Sequence, residues 1–78
     1  MKPSLDQCNA FLSGKPIPGV YFRHNDYVEV TGGEYAGASG SVVNVDELSD
    51  DPVIRVERES GYDALIVQSR LKLTASAP

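Results

Sequence analysis

The sequence has little of what builds a secreted scaffold or a membrane protein. It contains one cysteine, Cys8, so no disulfide can form within the chain, and it contains one histidine. No apolar run approaches the roughly 18 residues of a membrane span, and the first residues lack the apolar stretch of a signal peptide. These absences argue against a disulfide-stapled secreted fold and predict a cytoplasmic protein.

Positive charge is also scarce. Seven lysines and arginines stand against eleven aspartates and glutamates, which gives a formal net charge of −4. The field around such a protein repels polyanions unless the basic residues gather on one face. The 78 residues form one domain with a small core and little room for a deep catalytic pocket. The composition therefore disfavours nucleic acid as a partner and disfavours an enzyme.

A short helix and a connector are predicted at the start of the chain, over residues 1–19. Apolar residues recur there at helical spacing, at Leu5, Cys8 and Leu12. Ser4 and Gln7 have the form of a capping box, and Gly14 stands where a left-handed C-terminal cap is expected. The two prolines of KPIPG then favour an extended connector.

From Val20 onward the pattern is typical of strands. Apolar and polar residues alternate in the runs DYVEVT, SGSVVNVD, PVIRVERE, DALIVQ and LKLT. The side chains expected to face the core include Val28, Val30, Ile54, Val56, Leu71 and Leu73. Close turn signals predict antiparallel pairing of consecutive strands. Because an open sheet of short strands leaves its edges exposed, we predict a small barrel over residues 20–74, followed by a flexible tail at 75–78.

The run from Asn25 to Asp46, NDYVEVTGGEYAGASGSVVNVD, resembles the KOW motif. This motif occurs in SH3-like barrels of ribosomal proteins and NusG-type transcription elongation factors. The positions in register with it are Asp26, Val28, Val30, Gly33, Gly37, Gly40, Val42 and Val45. The resemblance implies an all-β fold, a small SH3-like antiparallel barrel of about five strands preceded here by the short helix, and a binding domain that contacts RNA.

The chain departs from that motif at the residues that would contact phosphate. Ala36 and Ala38 stand where the motif is usually or often basic, and Glu34 adds negative charge, so the RNA contact does not carry over directly. The layout of the second half, ending in SRLKL, is also similar to SH3-like peripheral subunits of electron-transfer complexes, such as the small acceptor-side subunit of photosystem I. Those subunits dock or stabilise assemblies without binding nucleic acid.

The glycine-rich run GGEYAGAS differs by one residue from a phosphate-binding loop. Ala38 replaces the lysine of that loop, and the β-branched run SVVNV follows where a helix is required. We therefore interpret the run as the long first loop of the barrel. Gly33, Gly37 and Gly40 are expected to serve backbone reversals in this loop.

Other candidates for chemistry are incomplete. His24 and Asp26 could form a general-base pair, but no serine lies in a nucleophile elbow. Cys8 and His24 are too few to ligate zinc, and the acidic loop DELSDD lacks the ligand spacing of an EF-hand. We interpret this loop as solvated or as an acidic patch for a basic partner. We predict no catalytic residue, metal, cofactor or small-molecule substrate.

Loop tyrosines and acidic residues are the predicted partner-binding residues. They are Tyr27, Glu34, Tyr35, Asp50, Asp51 and Tyr62. The alternative nucleic-acid site consists of Arg55, Arg58, Arg70 and Lys72, although the interleaved Glu57 and Glu59 predict cross-strand ion pairs instead. The sequence therefore predicts a non-catalytic module that docks a protein partner within a larger assembly. An RNA-binding or ribosome- or transcription-associated KOW-type domain is the alternative.

Overall fold

A computed structural model describes the whole chain, from Met1 to Pro78. Its elements are α1 (Leu5–Leu12), β1 (Tyr27–Val30), β2 (Ser39–Glu47), β3 (Val53–Arg58), β4 (Asp63–Val67), the 3-10 turn η1 (Gln68–Arg70) and β5 (Leu71–Ala75). The five strands form one sheet in the order β4-β3-β2-β1-β5. No helix combines the length and the apolar character that crossing a membrane requires.

Every strand pairing in this sheet is antiparallel. Strands β1 to β4 pair in succession, as the close turns predicted, and β5 returns to pair with β1. Strands β4 and β5 are consequently the two edges of the sheet. Closure of the sheet into a barrel stays a prediction, as does the division of the chain at residue 19.

One core of 13 buried apolar side chains lies under the sheet. Most of the predicted inward residues belong to it, namely Val28, Val30, Ile54, Val56 and Leu71. Leu73 does not, because β5 contributes only its first residue to the core and the rest of the strand is exposed. Alternation in β1 and β3 was therefore a good guide to burial, whereas in β5 the prediction for Leu73 was wrong.

The start of α1 follows the predicted capping box. The Gln7 backbone N–H donates to Ser4 Oγ at 3.1 Å, and the Ser4 N–H donates to Gln7 Oε1 at 2.8 Å. Gly14 has the predicted left-handed conformation, with φ of +87°. Local chemistry at both ends thus determined where this helix lies in the chain.

The buried face of α1 differs from the predicted one. Leu5 is 76% exposed and Leu12 is 50% exposed, whereas Phe11 is fully buried and packs edge-on against His24. An aromatic ring removes more apolar surface from water than a leucine does, so the helix rotates Phe11 inward. Ile17 of the connector is also buried in the same core. The N-terminal segment is therefore packed as part of the fold.

Two of the three predicted turn glycines have the expected conformation. Gly33 and Gly37 have φ values of +83° and +89°. Gly40 lies instead inside β2, so the prediction of a backbone reversal there was wrong. A Cβ atom on Gly40 would lie 2.1 Å from the Glu57 carbonyl oxygen on β3. Close approach of two backbones, rather than a turn, is what requires glycine at this position.

Candidate functional site

A groove of about 320 Å³ lies between the first loop and the edge strand β4. We call it the β4 groove. It is lined by Val30, Gly32, Glu34, Tyr35, Leu65, Ile66, Val67 and Arg70. The lining is mostly apolar, with one carboxylate and one guanidinium. The groove brings together Glu34 and Tyr35 from the predicted partner-binding set and Arg70 from the predicted nucleic-acid set.

Backbone hydrogen bonds fix the first loop beside η1. The Thr31 N–H donates to the Arg70 carbonyl at 2.8 Å, and the Gly37 N–H donates to the Val30 carbonyl at 2.8 Å. The Arg70 side chain packs directly on Gly33, where a Cβ atom would lie 2.3 Å from Arg70 Nη1. The loop and Arg70 therefore form one wall of the β4 groove, and β4 forms the other.

The contact between Arg70 and Gly33 predicts a difference between two glycine substitutions. Gly33→Ala and Gly37→Ala should each lower the free energy of unfolding by about 1 to 2 kcal/mol, because both positions have positive φ. Only Gly33→Ala should also displace Arg70, since nothing lies within 4 Å of a Cβ at Gly37. NMR of the Arg70 Nε–H group tests this, and an equal shift in both variants would contradict the packing.

Tyr35 and Tyr62 are neighbours through Arg58. The guanidinium carbon of Arg58 lies 4.7 Å from the centre of the Tyr35 ring, and Arg58 Nε donates to the Tyr62 carbonyl at 3.2 Å. Tyr35 packs partly against the core, while Tyr62 is 72% exposed. Stacking of a cation on an aromatic face is favourable, so this contact holds the β3–β4 turn against the first loop.

Tyr27 is engaged with the same turn. Its hydroxyl donates to the carboxylate of Glu59. This hydrogen bond, together with desolvation and the negative charge of Glu59, raises the pKa of Tyr27 above its ordinary 10.0. Three of the predicted partner-binding tyrosines thus lie near the junction of the first loop with the β3–β4 turn, and two of them already contact neighbouring side chains.

The bond between Tyr27 and Glu59 predicts a change in stability at alkaline pH. Because the folded pKa of Tyr27 is raised, the folded state holds this proton more tightly than the unfolded state. The contribution is present below pH 10 and is lost as pH rises through the folded pKa of Tyr27. Absorbance titration should find one of the four tyrosines titrating late, a feature that Tyr27→Phe removes and Glu59→Ala shifts down. If one tyrosine still titrates late in Tyr27→Phe, the raised pKa belongs to a different tyrosine, and the prediction is wrong.

The acidic loop does not line the β4 groove. Asp50 and Asp51 line a separate depression of about 520 Å³ together with Tyr21, Phe22, Gln68, Ser69 and Leu71. The Asp51 carboxylate accepts from the Ser69 N–H and hydroxyl at 2.8 and 2.6 Å, so it fixes η1. Gln68 is buried and bonds to two backbone groups before β1, the Gly19 carbonyl and the Tyr21 N–H. Tyr21 is 83% exposed but was not among the predicted partner-binding residues. The segment around Tyr21 is too short to show the alternation that would predict which of Tyr21 and Phe22 is exposed.

The predicted basic residues lie in different environments. Arg55 makes a bidentate ion pair with Asp46, at 2.9 and 2.6 Å, and a longer contact of 3.3 Å with Asp63. The bonds to Asp46 and its charge, with a smaller effect of Asp63, raise the pKa of Arg55. The predicted ion pairs with Glu57 and Glu59 are therefore wrong for Arg55. Lys72 lies on β5 beside Glu29, its opposite residue on β1.

The hydrogen-bond pattern shows which residues of β4 are bonded to β3. The Arg58 N–H donates to the Tyr62 carbonyl at 3.1 Å. At the other end, the Gln68 N–H donates to the Pro52 carbonyl at 2.8 Å. The register between these ends is continuous, and bonded and non-bonded opposite residues alternate along an antiparallel pair. The even-numbered residues of β4 therefore bond to β3, and the odd-numbered residues do not.

The outer edge of β4 is consequently unpaired. Asp63, Leu65 and Val67 direct their backbone N–H and C=O groups away from β3, and no loop or turn hydrogen bond involves those groups. The Leu65 side chain is 51% exposed, whereas Ala64 and Ile66 are buried. An edge of this kind can accept a further strand. Sequence reasoning missed it because edge status depends on the order of strands in the sheet.

No group of three or more histidine, cysteine, aspartate or glutamate side chains is arranged to hold a metal ion. Compared with protein-family models, with curated proteins and with solved structures, the chain matches none.

Proposed function

We propose that this chain is a non-catalytic interaction module that docks a protein partner within a larger assembly, in the cytoplasm, through the β4 groove. The observation that supports this most is the position of a mostly apolar groove beside an unpaired edge strand. Apolar lining supplies affinity, and the open backbone groups of the edge supply directional hydrogen bonds. Protein segments offer both, since they carry apolar side chains and a backbone of donors and acceptors.

We propose further that the sheet curls into an SH3-like barrel of the KOW type that stays open between its two edge strands, β4 and β5. The return of β5 to β1 and the 3-10 turn between β4 and β5 support this fold, as does the long glycine-containing first loop. Barrels of this kind serve many unrelated functions, so the fold by itself does not identify the partner.

The charge distribution favours a protein over RNA in the β4 groove. The groove contains Glu34 as well as Arg70, so it has no excess of positive charge. The net charge of −4 adds long-range repulsion of phosphate. Arg55 is bound to two carboxylates and is not free to contact a polyanion.

RNA binding is the second candidate, and one observation favours it. Arg58 stacks on the Tyr35 ring, Arg70 lines the same groove as Tyr35, and neither arginine forms an ion pair. Two guanidinium groups beside an aromatic ring can contact phosphate and stack a base. Titration of a labelled RNA pool at several salt concentrations tests this candidate. RNA binding requires an affinity that falls steeply as salt is added. The dependence of affinity on salt should be weaker in Arg58→Gln and in Arg70→Gln.

Site-specific photo-crosslinking in the cell of origin tests docking in the β4 groove. A photoreactive benzoylphenylalanine at Leu65 should give a nuclease-resistant protein adduct. The same residue at Leu5, which is exposed on α1, is the matched control and should give none. A nuclease-sensitive adduct at Leu65 would support RNA binding instead. Equal adducts at both positions, or none at either, would overturn the proposed function.

A further inference from the structure

We infer that the partner in the β4 groove is a second copy of this chain, whose β4 pairs antiparallel with the first β4 around a two-fold axis at Leu65. This inference rests on the proposed function, since it names the occupant of the same groove. It identifies the mode of binding as strand addition, in which two sheets join edge to edge into one.

The two edges of the sheet are not equally protected. Natural sheets block unwanted pairing with lysine, with bulges and with covering segments. Edge strand β5 has Lys72 and a register irregularity opposite Tyr27 and Val28 on β1.

Edge strand β4 has none of these devices. Its sequence, DALIV, contains no lysine, no proline and no glycine, and its pairing with β3 shows no bulge. Leu65, at the centre of the strand, is half exposed and has both backbone groups free. A regular edge with no bulge, no lysine and an exposed leucine is therefore the one on which pairing is expected.

The β4 sequence is complementary to itself in the antiparallel register. With the two-fold axis at Leu65, that leucine lies opposite its symmetry mate, and Asp63 lies opposite Val67 of the second copy. Each of these pairs consists of residues whose N–H and C=O groups point outward, so each can exchange both backbone hydrogen bonds. No like charges lie opposite each other, and two leucines meet on the exposed face.

The charges on and beside β4 also allow a second copy of the chain to approach this edge. Asp63 is the only charged residue in β4, and its carboxylate contacts Arg55 of the same chain at 3.3 Å. Arg55 is in turn bound by Asp46. Glu57, the residue opposite Asp63, forms no ion pair, but it lies on β3 and not on the edge strand. The edge strand that meets its own copy therefore has no row of like charges, despite the net charge of the whole chain.

Sedimentation of the purified chain tests the inference. Over roughly 10 µM to 1 mM protein, the wild type should shift from monomer to dimer. Leu65→Lys places two ammonium groups opposite each other and should raise the dissociation constant about tenfold or more. Leu73→Lys is the matched control, because Leu73 is a similarly exposed leucine on the other edge strand, and this variant should dimerise as the wild type does.

A cysteine pair tests the register. In a bonded antiparallel pair the opposite Cα atoms lie about 5.5 Å apart, which a disulfide can span. In a Cys8→Ser background, Leu65→Cys should therefore oxidise to a covalent dimer, and Leu73→Cys should not. Circular dichroism of each variant is the control, and it should show that these exposed substitutions leave the fold intact.

The outcomes separate this inference from the proposed function. A wild type that stays monomeric to about 1 mM, or a dimer that Leu65→Lys leaves unchanged, would overturn the second copy as occupant. If the crosslinker at Leu65 then captures a different protein, docking in the groove stands and only its occupant changes. If it captures RNA or nothing, both proposals fail.

Discussion

Gly40→Ala is expected to destabilise the protein by about 3 kcal/mol or more, which is a large share of the stability of a 78-residue domain. The added Cβ would lie 2.1 Å from the Glu57 carbonyl oxygen and 2.8 Å from the Arg58 Cα atom. Both are backbone atoms of β3, so no side chain can rotate to relieve the clash. Strands β2 and β3 would have to separate at this point. Denaturant unfolding followed by circular dichroism measures the loss.

Gly32→Ala is the matched control for this prediction. Nothing lies within 4 Å of a Cβ at Gly32, and its φ is not in the left-handed region. The same change of side chain should therefore alter the free energy of unfolding by less than about 0.5 kcal/mol. Similar losses for the two variants would mean that β2 and β3 do not approach as closely at Gly40 as the structure places them.

Phe11→Ala should cost about 3 to 5 kcal/mol, the range for removing a buried aromatic side chain. Phe11 is fully buried, in one cluster with valines of β1 and β2. Its loss would leave a cavity between α1 and the sheet and remove the contact with His24. Thermal or denaturant unfolding gives the magnitude.

Leu12→Ala is the neighbouring control, because Leu12 is half exposed on the same helix. It should cost less than about 1 kcal/mol, so the difference between the two variants reports burial rather than helix propensity. If Phe11→Ala costs no more than Leu12→Ala, the helix is not packed in the core, and the N-terminal segment is an appendage to the sheet.

Local features of this fold were predictable from the sequence. The capping box at Ser4 and Gln7 and the left-handed Gly14 depend on residues within one turn of each other. Alternation in β1 and β3 follows from the period of a strand with one buried face. These features depend on residues close together in the sequence, so they can be predicted without knowing how the rest of the chain folds.

Features that depend on strand register could not be predicted. The register of β2 against β3 shifts between Val42 and Asn44 and again between Val45 and Glu47. Asp46 lies in the second irregularity, and its ion pair with Arg55 depends on that local register. Alternation alone suggested glutamates as the partners. The rotation of Phe11 into the core is a tertiary effect of the same kind, since helical spacing favoured the leucines.

The candidate site was predicted in part. The sequence predicts Glu34 and Tyr35 as partner-binding loop residues, and both line the β4 groove. The other wall of the groove was not foreseen, because DALIV reads as an ordinary strand and only the strand order makes it an edge. Asp50 and Asp51 are predicted to bind the same partner as the loop tyrosines, but they lie in a separate depression beside η1.

Amide hydrogen exchange along β4 tests most directly whether its outer edge is the binding surface. In dilute protein, the amides of Ala64 and Ile66 should exchange slowly because they bond to β3, while those of Leu65 and Val67 should exchange nearly as fast as in an unfolded chain. When the groove is filled, by a second copy at high concentration or by the captured partner, the Leu65 and Val67 amides should become slow as well. Slow exchange at Leu65 and Val67 in the dilute monomer, or fast exchange under every condition, would contradict an open edge that binds a partner strand.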